Sequence, residues 1–211
     1  MAVAEVTPRV FGTLLLATGN RHKYAEFLEI LPDNAVEKLL YAPDLAAGVH
    51  VEETGATYAM NAYLKARAWA EASGFPSLAD DSGVEVEALG RRPGVRSARA
   101  AEGSDHDRNR WLLSQMEGKT NRRACFVAAV ALSIPDGRTL VCEGACWGNL
   151  GESERGGSGF GYDPLFIPDG HDASFGELPS AVKNQISHRA LAVRALFDLL
   201  DVFTRRSVNL Q

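Results

Sequence analysis

Thr13-Leu14-Leu15-Leu16-Ala17 runs without a break into Thr18-Gly19-Asn20-Arg21-His22-Lys23 and on into Tyr24-Ala25-Glu26-Phe27-Leu28. The first five residues form the short apolar run of a buried strand. Thr18-Gly19-Asn20 suits a tight turn. Tyr24, Phe27, Leu28 and Leu31 then recur at helical spacing until Pro32-Asp33-Asn34 stops them. The opening unit is strand, polar loop, helix.

Outward from this unit, a second helix is predicted over Thr57 to Ser73, rich in alanine and ended by Gly74 and Pro76. Ser77-Leu78-Ala79 comes next as a short strand with Asp80-Asp81-Ser82-Gly83 at its end, then Val84-Glu85-Val86-Glu87-Ala88 as a half-exposed strand. A helix is expected over Asp107 to Met116. Ala124 to Ile134 and Thr139 to Trp147 read as strands joined by a Pro135-Asp136-Gly137 hairpin. Gly151 to Gly161 is a glycine-dense loop, and Pro179 to about Phe203 is helical with an apolar stripe of Leu191, Ala195, Leu199 and Val202. Helices around a mixed sheet make the class α/β.

The chain has 211 residues, 45% hydrophobic and 23% charged, which is globular usage and excludes a disordered or fibrous protein. A net charge of −5 argues against a nucleic-acid binder. No apolar run reaches membrane-spanning length and Met1 to Gly12 lacks the zones of a secretory signal, so residues 1–12 are expected to be a flexible lead-in, residues 13–211 a single domain, and the location cytoplasmic. Cys125, Cys142 and Cys146 are an odd set without zinc spacing, expected as free packing thiols.

Four constellations can carry chemistry. Thr18 to Lys23, between a strand and a helix, is either a capped helix start or a phosphate cradle to which Arg21 and Lys23 add charge. Glu52-Glu53 and Asp80-Asp81 are either exposed acidic turns or oxygen ligands for Mg²⁺, since neighbouring carboxylates are costly to gather without a cation. In Gly159-Phe160-Gly161-Tyr162-Asp163-Pro164, glycines flank an aromatic that can stack on a base, with Asp163 as an acceptor for a ring N–H; otherwise its aromatics plug the core. Ser187 is a good N-cap for the last helix, placing His188 and Arg189 at its positive end, with Lys183 nearby.

Taken in order, these blocks resemble the inosine triphosphate pyrophosphatases, the non-standard purine (dITP/XTP) nucleoside triphosphate pyrophosphatase family. The carrying segments are Leu16 to Asn20 with Lys23, Val51 to Thr57 with Asn61-Ala62 and Lys65-Ala66-Arg67, and Leu78 to Gly83. Further on they are Pro93-Gly94-Val95 with Ser97-Ala98-Arg99, Gly159 to Pro164, and Lys183-Asn184 with Ile186 to Arg189. The resemblance covers about Thr13 to Leu200. It implies an elongated two-lobed molecule with a central cleft, the smaller lobe roughly residues 84–150, commonly a homodimer. It also implies Mg²⁺-dependent hydrolysis of ITP, dITP and XTP to the monophosphate and pyrophosphate, which cleanses the nucleotide pool. By position, Thr18, Gly19, Asn20, Arg21, His22 and Lys23 would hold the triphosphate, with Lys23 also catalytic. Glu52 and Asp81 would bind Mg²⁺, Asp81 would accept the proton of the attacking water, and Ser82 would touch substrate. Phe160, Gly161, Tyr162 and Asp163 would form the base platform, completed by Lys183, His188 and Arg189.

A metal-bound Asp81 is a weaker base, so Asp80 is an alternative for one of the two roles. A pocket of donors would favour a 6-oxo purine and leave adenine's amino group facing donors. Three positions depart from the family pattern and bear on substrate preference: His22 for a glycine, Met60 for a glutamate and Ala100 for an aromatic. Partners other than the nucleotide, whether nucleic acid or membrane, are not expected. The competing functions are a pyrophosphatase for other modified nucleotides and a non-catalytic nucleotide sensor.

Overall fold

In a computed structural model of the chain, residues 10–45 and 48–208 are described, and residues 1–9 of the expected lead-in lie outside them. The strand β1 (Phe11–Leu16) begins at Phe11 rather than Thr13, so the last two residues assigned to the lead-in belong to the sheet. It is followed by α1 (Arg21–Ile30), β2 (Val36–Tyr41), α2 (Tyr58–Ser73) and β3 (Ser77–Val86). A short β4 (Arg92–Pro93), α3 (Asp105–Gln115), β5 (Arg123–Ser133) and β6 (Thr139–Leu150) lead to a short β7 (Phe166–Pro168), α4 (Ser180–Ile186) and α5 (His188–Val208).

The seven strands make one mixed sheet in the order β2-β1-β3-β5-β6-β7, with β4 beside β3. β1 is parallel to both β2 and β3, while β3, β5, β6 and β7 pair antiparallel in turn. This sets a parallel βαβ-type half against an antiparallel half, the mixture that the central hairpin implied. Leu14, Leu15 and Leu16 are fully buried because β1 lies between two strands with helices on both faces.

Alternation along β3 sends successive side chains into two different cores. Leu78 joins a core with Leu14, Val130 and, from α5, Val193 and Leu196. Ala79 joins the opposite core with Ala62 and Ala66 of α2. Alanines at these positions let α2 lie close on the sheet; Thr57 caps it through the Met60 amide at 3.2 Å, and Gly74 ends it at φ 71°. A third cluster at the far end of the sheet gathers Val84, Leu112, Phe126, Leu165, Phe166 and Phe175.

Three expectations change. Asp80-Asp81-Ser82-Gly83 is not a break at a strand end: β3 passes straight through it, each residue paired with β5. The last helical stretch is two helices, because Ser187 leaves the helical conformation at ψ 151° and its hydroxyl accepts from the Ala190 amide at 3.2 Å. α3 starts at Asp105 rather than Asp107, since Ser104 and Asp107 close a reciprocal capping box.

Gly83 is required by close approach. A Cβ there would sit 2.3 Å from the Gly94 carbonyl oxygen and 2.5 Å from Ser97 Oγ. Gly83→Ala is expected to cost about 2–3 kcal/mol and lower Tm by roughly 5–10 °C in a thermal melt; an unchanged Tm would mean that the 94–99 turn does not press on β3. The three cysteines are free, and burial pushes the thiols of Cys125 and Cys146 up to about 11 and about 12, which leaves them unreactive near neutral pH. Among the described residues, no helix is long and apolar enough to cross a membrane.

Candidate active site

A cavity of about 690 Å³ opens where the β1–α1 turn, the middle of β3, the 160–163 loop and the start of α5 converge. Thr18, Gly19, Asn20, Lys23, Asp81, Ser82, Phe160, Gly161, Tyr162, Asp163, Lys183, His188 and Arg189 all line it. Arg21, His22 and Glu52 do not. Arg21 is exposed over the Tyr41 ring, 5.5 Å from its centroid. His22 is stacked on the Phe160 ring at 5.4 Å. Exposure alternates from Val51 to Gly55, so Glu52 faces solvent and Glu53 faces the cavity.

The head of α1 is capped by Asn20. Asn20 Oδ1 accepts the His22 and Lys23 amides at 2.8 and 3.2 Å, and Tyr41 donates its hydroxyl to the Gly19 carbonyl at 2.8 Å. The turn is thereby fixed, and it leaves the Lys23 side chain at the cavity.

The carboxylates of Asp80 and Asp81 are neighbours in sequence but not in space, because successive residues of a strand point to opposite faces. Asp80 turns toward α5. It is completely buried between Lys23 at 2.9 Å and Arg189 Nε at 3.0 Å. Burial alone would raise its pKa, but Lys23 and Arg189 outweigh burial and hold the carboxyl far below the usual range. Asp80 is therefore a permanent counter-ion, which removes it as the alternative proton acceptor. Asp81 turns toward α2. Its Oδ2 accepts from Asn61 Nδ2 at 2.9 Å and its Oδ1 from the Ser82 amide at 3.0 Å. Here burial wins over Lys65 and Asn61, and the pKa is raised. Of the two, only Asp81 combines access to the cavity with an affinity for protons.

Asp80 begins an alternating buried chain of charge. Arg189 binds Asp80, Glu26 and, through Nη2 at 3.0 Å, Ser82 Oγ. Lys183 binds Glu26 and Asp163, each at 2.5 Å. Three cations (Lys23, Arg189, Lys183) and three carboxylates (Asp80, Glu26, Asp163) balance one another. Each cation keeps N–H groups beyond those already engaged, since an ammonium has three and a guanidinium five. His188 is buried against Phe126, rings 4.7 Å apart and nearly parallel, with Nδ1 unpartnered among the described residues. Burial, then Arg189 and Lys183, lower its pKa well below the ordinary value, so the imidazole is neutral and offers one donor, not two.

The two aromatics of the 160–163 loop have different jobs. Tyr162 is buried and donates its hydroxyl to the Ser97 carbonyl at 2.8 Å, which ties the loop to the 94–99 turn. Phe160 is half-buried and presents its ring to the cavity, with Lys183 Nζ 5.1 Å and Arg189 Cζ 5.5 Å from its centroid. Of the two rings, Phe160 is the one left half-exposed. Gly159, at φ 77°, would place a Cβ 2.2 Å from Asp163 Oδ2, so no side chain fits there.

Several residues of the site escaped the sequence reading. Glu26 stands three residues after Lys23 on one face of α1, a spacing that could have flagged it. Lys65, which pairs with Glu53 at 2.6 Å, stands four residues after Asn61 on α2. Asn61 also accepts the Gly55 amide at 2.8 Å, joining the acidic loop to Asp81. Asp105 lay outside the helix expected from Asp107, and Arg108 had no signal beyond its place in that helix's first turn.

A model of the Ham1 family matches residues 14–199. A dITP/XTP pyrophosphatase of Deinococcus deserti is 47% identical over 189 residues, spanning 87% of this chain and 86% of its own. One from Deinococcus radiodurans is 54% identical over 146 residues, 69% of this chain and 73% of its own. The solved structure of the Staphylococcus aureus Ham1 protein superposes with a TM-score of 0.79 at 38% identity, over 90% of this chain and 98% of that one. A HAM1 protein from Coxiella burnetii gives 0.81 at 36% identity, over the same shares.

Proposed function

Since this chain belongs to the Ham1 family, we propose that it is a nucleoside triphosphate pyrophosphatase acting on the non-standard purine triphosphates dITP, XTP and ITP. The observation that carries this reading is the shared cavity. It is lined by Lys23, Asp81, Glu53 and Lys65, the equipment for a triphosphate, and by Phe160, Lys183, Arg189 and neutral His188, the equipment for a flat base with oxygen at its edge. Water attacks the α-phosphorus, a new P–O bond forms, the α–β anhydride bond breaks, and pyrophosphate leaves. Asp81, which faces the cavity, takes the proton of that water. Lys23, beside Asp80, adds positive field where charge builds on the phosphates.

The donor set suits Mg²⁺. Asp81 and Glu53 both line the cavity, and among the described residues no group of three or more His, Cys, Asp or Glu side chains converges. Two carboxylates completed by substrate phosphates are what this ion accepts, and a dication would further offset the burial of Asp81 that Lys65 and Asn61 offset in part. Glu53 takes the part expected of Glu52. When bound, Mg²⁺ screens the phosphate charges and orients the triphosphate. Removing divalent ions with EDTA is expected to abolish turnover and millimolar Mg²⁺ to restore it; activity that survives EDTA would contradict the metal's role.

Selectivity arises from donors. Lys183, Arg189 and one imidazole nitrogen can serve an oxygen at the purine 6-position, whereas adenine's amino group would leave them unpaired at roughly 1–3 kcal/mol per group. We further propose a two-lobed cleft, supported by a cavity whose lining includes both Ala17 and Lys23 at the β1 end and Phe126 and Tyr162 from the far cluster. A homodimer and a role in cleansing the nucleotide pool, both resting on the family's pattern, and a cytoplasmic location, resting on the free cysteines, complete the reading.

A further inference from the structure

Asp105 is the first residue of α3, where an acid is favoured by the helix dipole. The cap does not need its side chain, because Ser104 and Asp107 already satisfy each other's amides. The Asp105 carboxylate instead leaves the helix and accepts the Gly161 amide at 2.6 Å. Its other oxygen is held by Arg108, one turn further along. On the opposite side of Phe160, that residue's own amide donates to Asp163 Oδ2 at 2.8 Å, and Asp163 is held in turn by Lys183. Both peptide N–H groups flanking Phe160 thus end on carboxylates that are each tied to a cation. The same turn of α3 grips the loop a second time, where Glu154 accepts from Asn109 Nδ2 at 3.1 Å and lies 2.6 Å from His106 Nδ1.

We propose that Asp105 is a positioning residue for the base platform: its carboxylate clamps the peptide after Phe160 and so fixes the ring on which the purine rests. The proposal rests on the pyrophosphatase reading. Its physical content is preorganisation. Gly159 and Gly161 both sit at positive φ, 77° and 64°, so the backbone on either side of Phe160 has wide freedom unless something outside the loop removes it. Ordering the loop before the nucleotide arrives saves that cost on binding.

The test pairs kinetics with amide exchange in the free, full-length protein. Asp105→Ala is expected to raise KM for dITP about tenfold with kcat within about twofold. Asp105→Asn, whose amide oxygen still accepts from Gly161, is expected to stay within about threefold of the wild-type KM. Hydrogen exchange at the Gly161 amide, followed by NMR, should accelerate about tenfold in the alanine variant and little in the asparagine one. Unchanged Gly161 exchange, or a lower Tm with KM unaltered, would overturn the clamp. A wild-type protein that does not hydrolyse dITP would overturn the pyrophosphatase reading itself. Active wild type with an unaltered variant KM would sink this inference alone.

Discussion

Asp81→Asn is expected to lower kcat for dITP about 10³-fold while Tm moves by no more than a few degrees. The substitution keeps the shape of the side chain and its ability to accept from Asn61 or Ser82, the two donors that hold it. It removes the proton acceptor and one charge from the metal-binding pair. Asp81 stands apart from the alternating ion chain, and burial has already raised its pKa, so the fold loses little with its charge. Steady-state rates with a thermal melt on the same preparation decide the matter. Near-normal turnover would remove Asp81 from the mechanism; a collapsed Tm would make it a structural residue.

Arg189→Met should do more than the loss of a base-reading side chain alone would do. Arg189 is 1% exposed and satisfies Asp80, Glu26 and Ser82. Removing it takes one of two cations from each of two buried carboxylates, leaving Asp80 to Lys23 and Glu26 to Lys183, at about 3–5 kcal/mol for a broken buried pair. The melt should fall by roughly 10 °C, and turnover should fall for both nucleotides, more for ITP, whose 6-oxygen Arg189 also serves. Arg189→Lys, which keeps the charge but cannot span three partners, should melt in between. A methionine variant as stable as wild type would show that Asp80 and Glu26 do not depend on Arg189. A rise in KM confined to ITP would return it to a purely base-reading role.

The elements that sequence displayed are those with strong local signals. β1 shows as an unbroken leucine run, α2 as alanines between Thr57 and Gly74, and the β5–β6 hairpin as Pro135-Asp136-Gly137. β2 did not show, because Glu37 and Lys38 interrupt a strand at the sheet edge, where pairing rather than apolar pattern makes it. Asp80 to Gly83 read as a turn because polar residues and a glycine rarely fill the middle of a strand. Here ion pairs and the close approach of Gly94 supply what apolar packing normally would.

Much of the cavity's lining was legible in the sequence, and its wiring was not. Lys183, His188 and Arg189 were placed at the base side, but their engagement by Glu26, Asp163 and Asp80 depends on α1, α4 and β3 meeting, which no local pattern encodes. The same holds for Glu53 over Glu52, a choice made by which way one loop residue faces. Asp105 reaches across 56 residues to Gly161, beyond the range of any motif.

The central claim is hydrolysis at the α–β anhydride with preference for a 6-oxo purine. The most direct test is product analysis with Mg²⁺ on dITP, XTP, GTP and ATP side by side. The expected products are monophosphate and pyrophosphate, formed from dITP and XTP with a kcat/KM at least about tenfold above that for ATP. Diphosphate and orthophosphate, or equal rates on all four nucleotides, would contradict it.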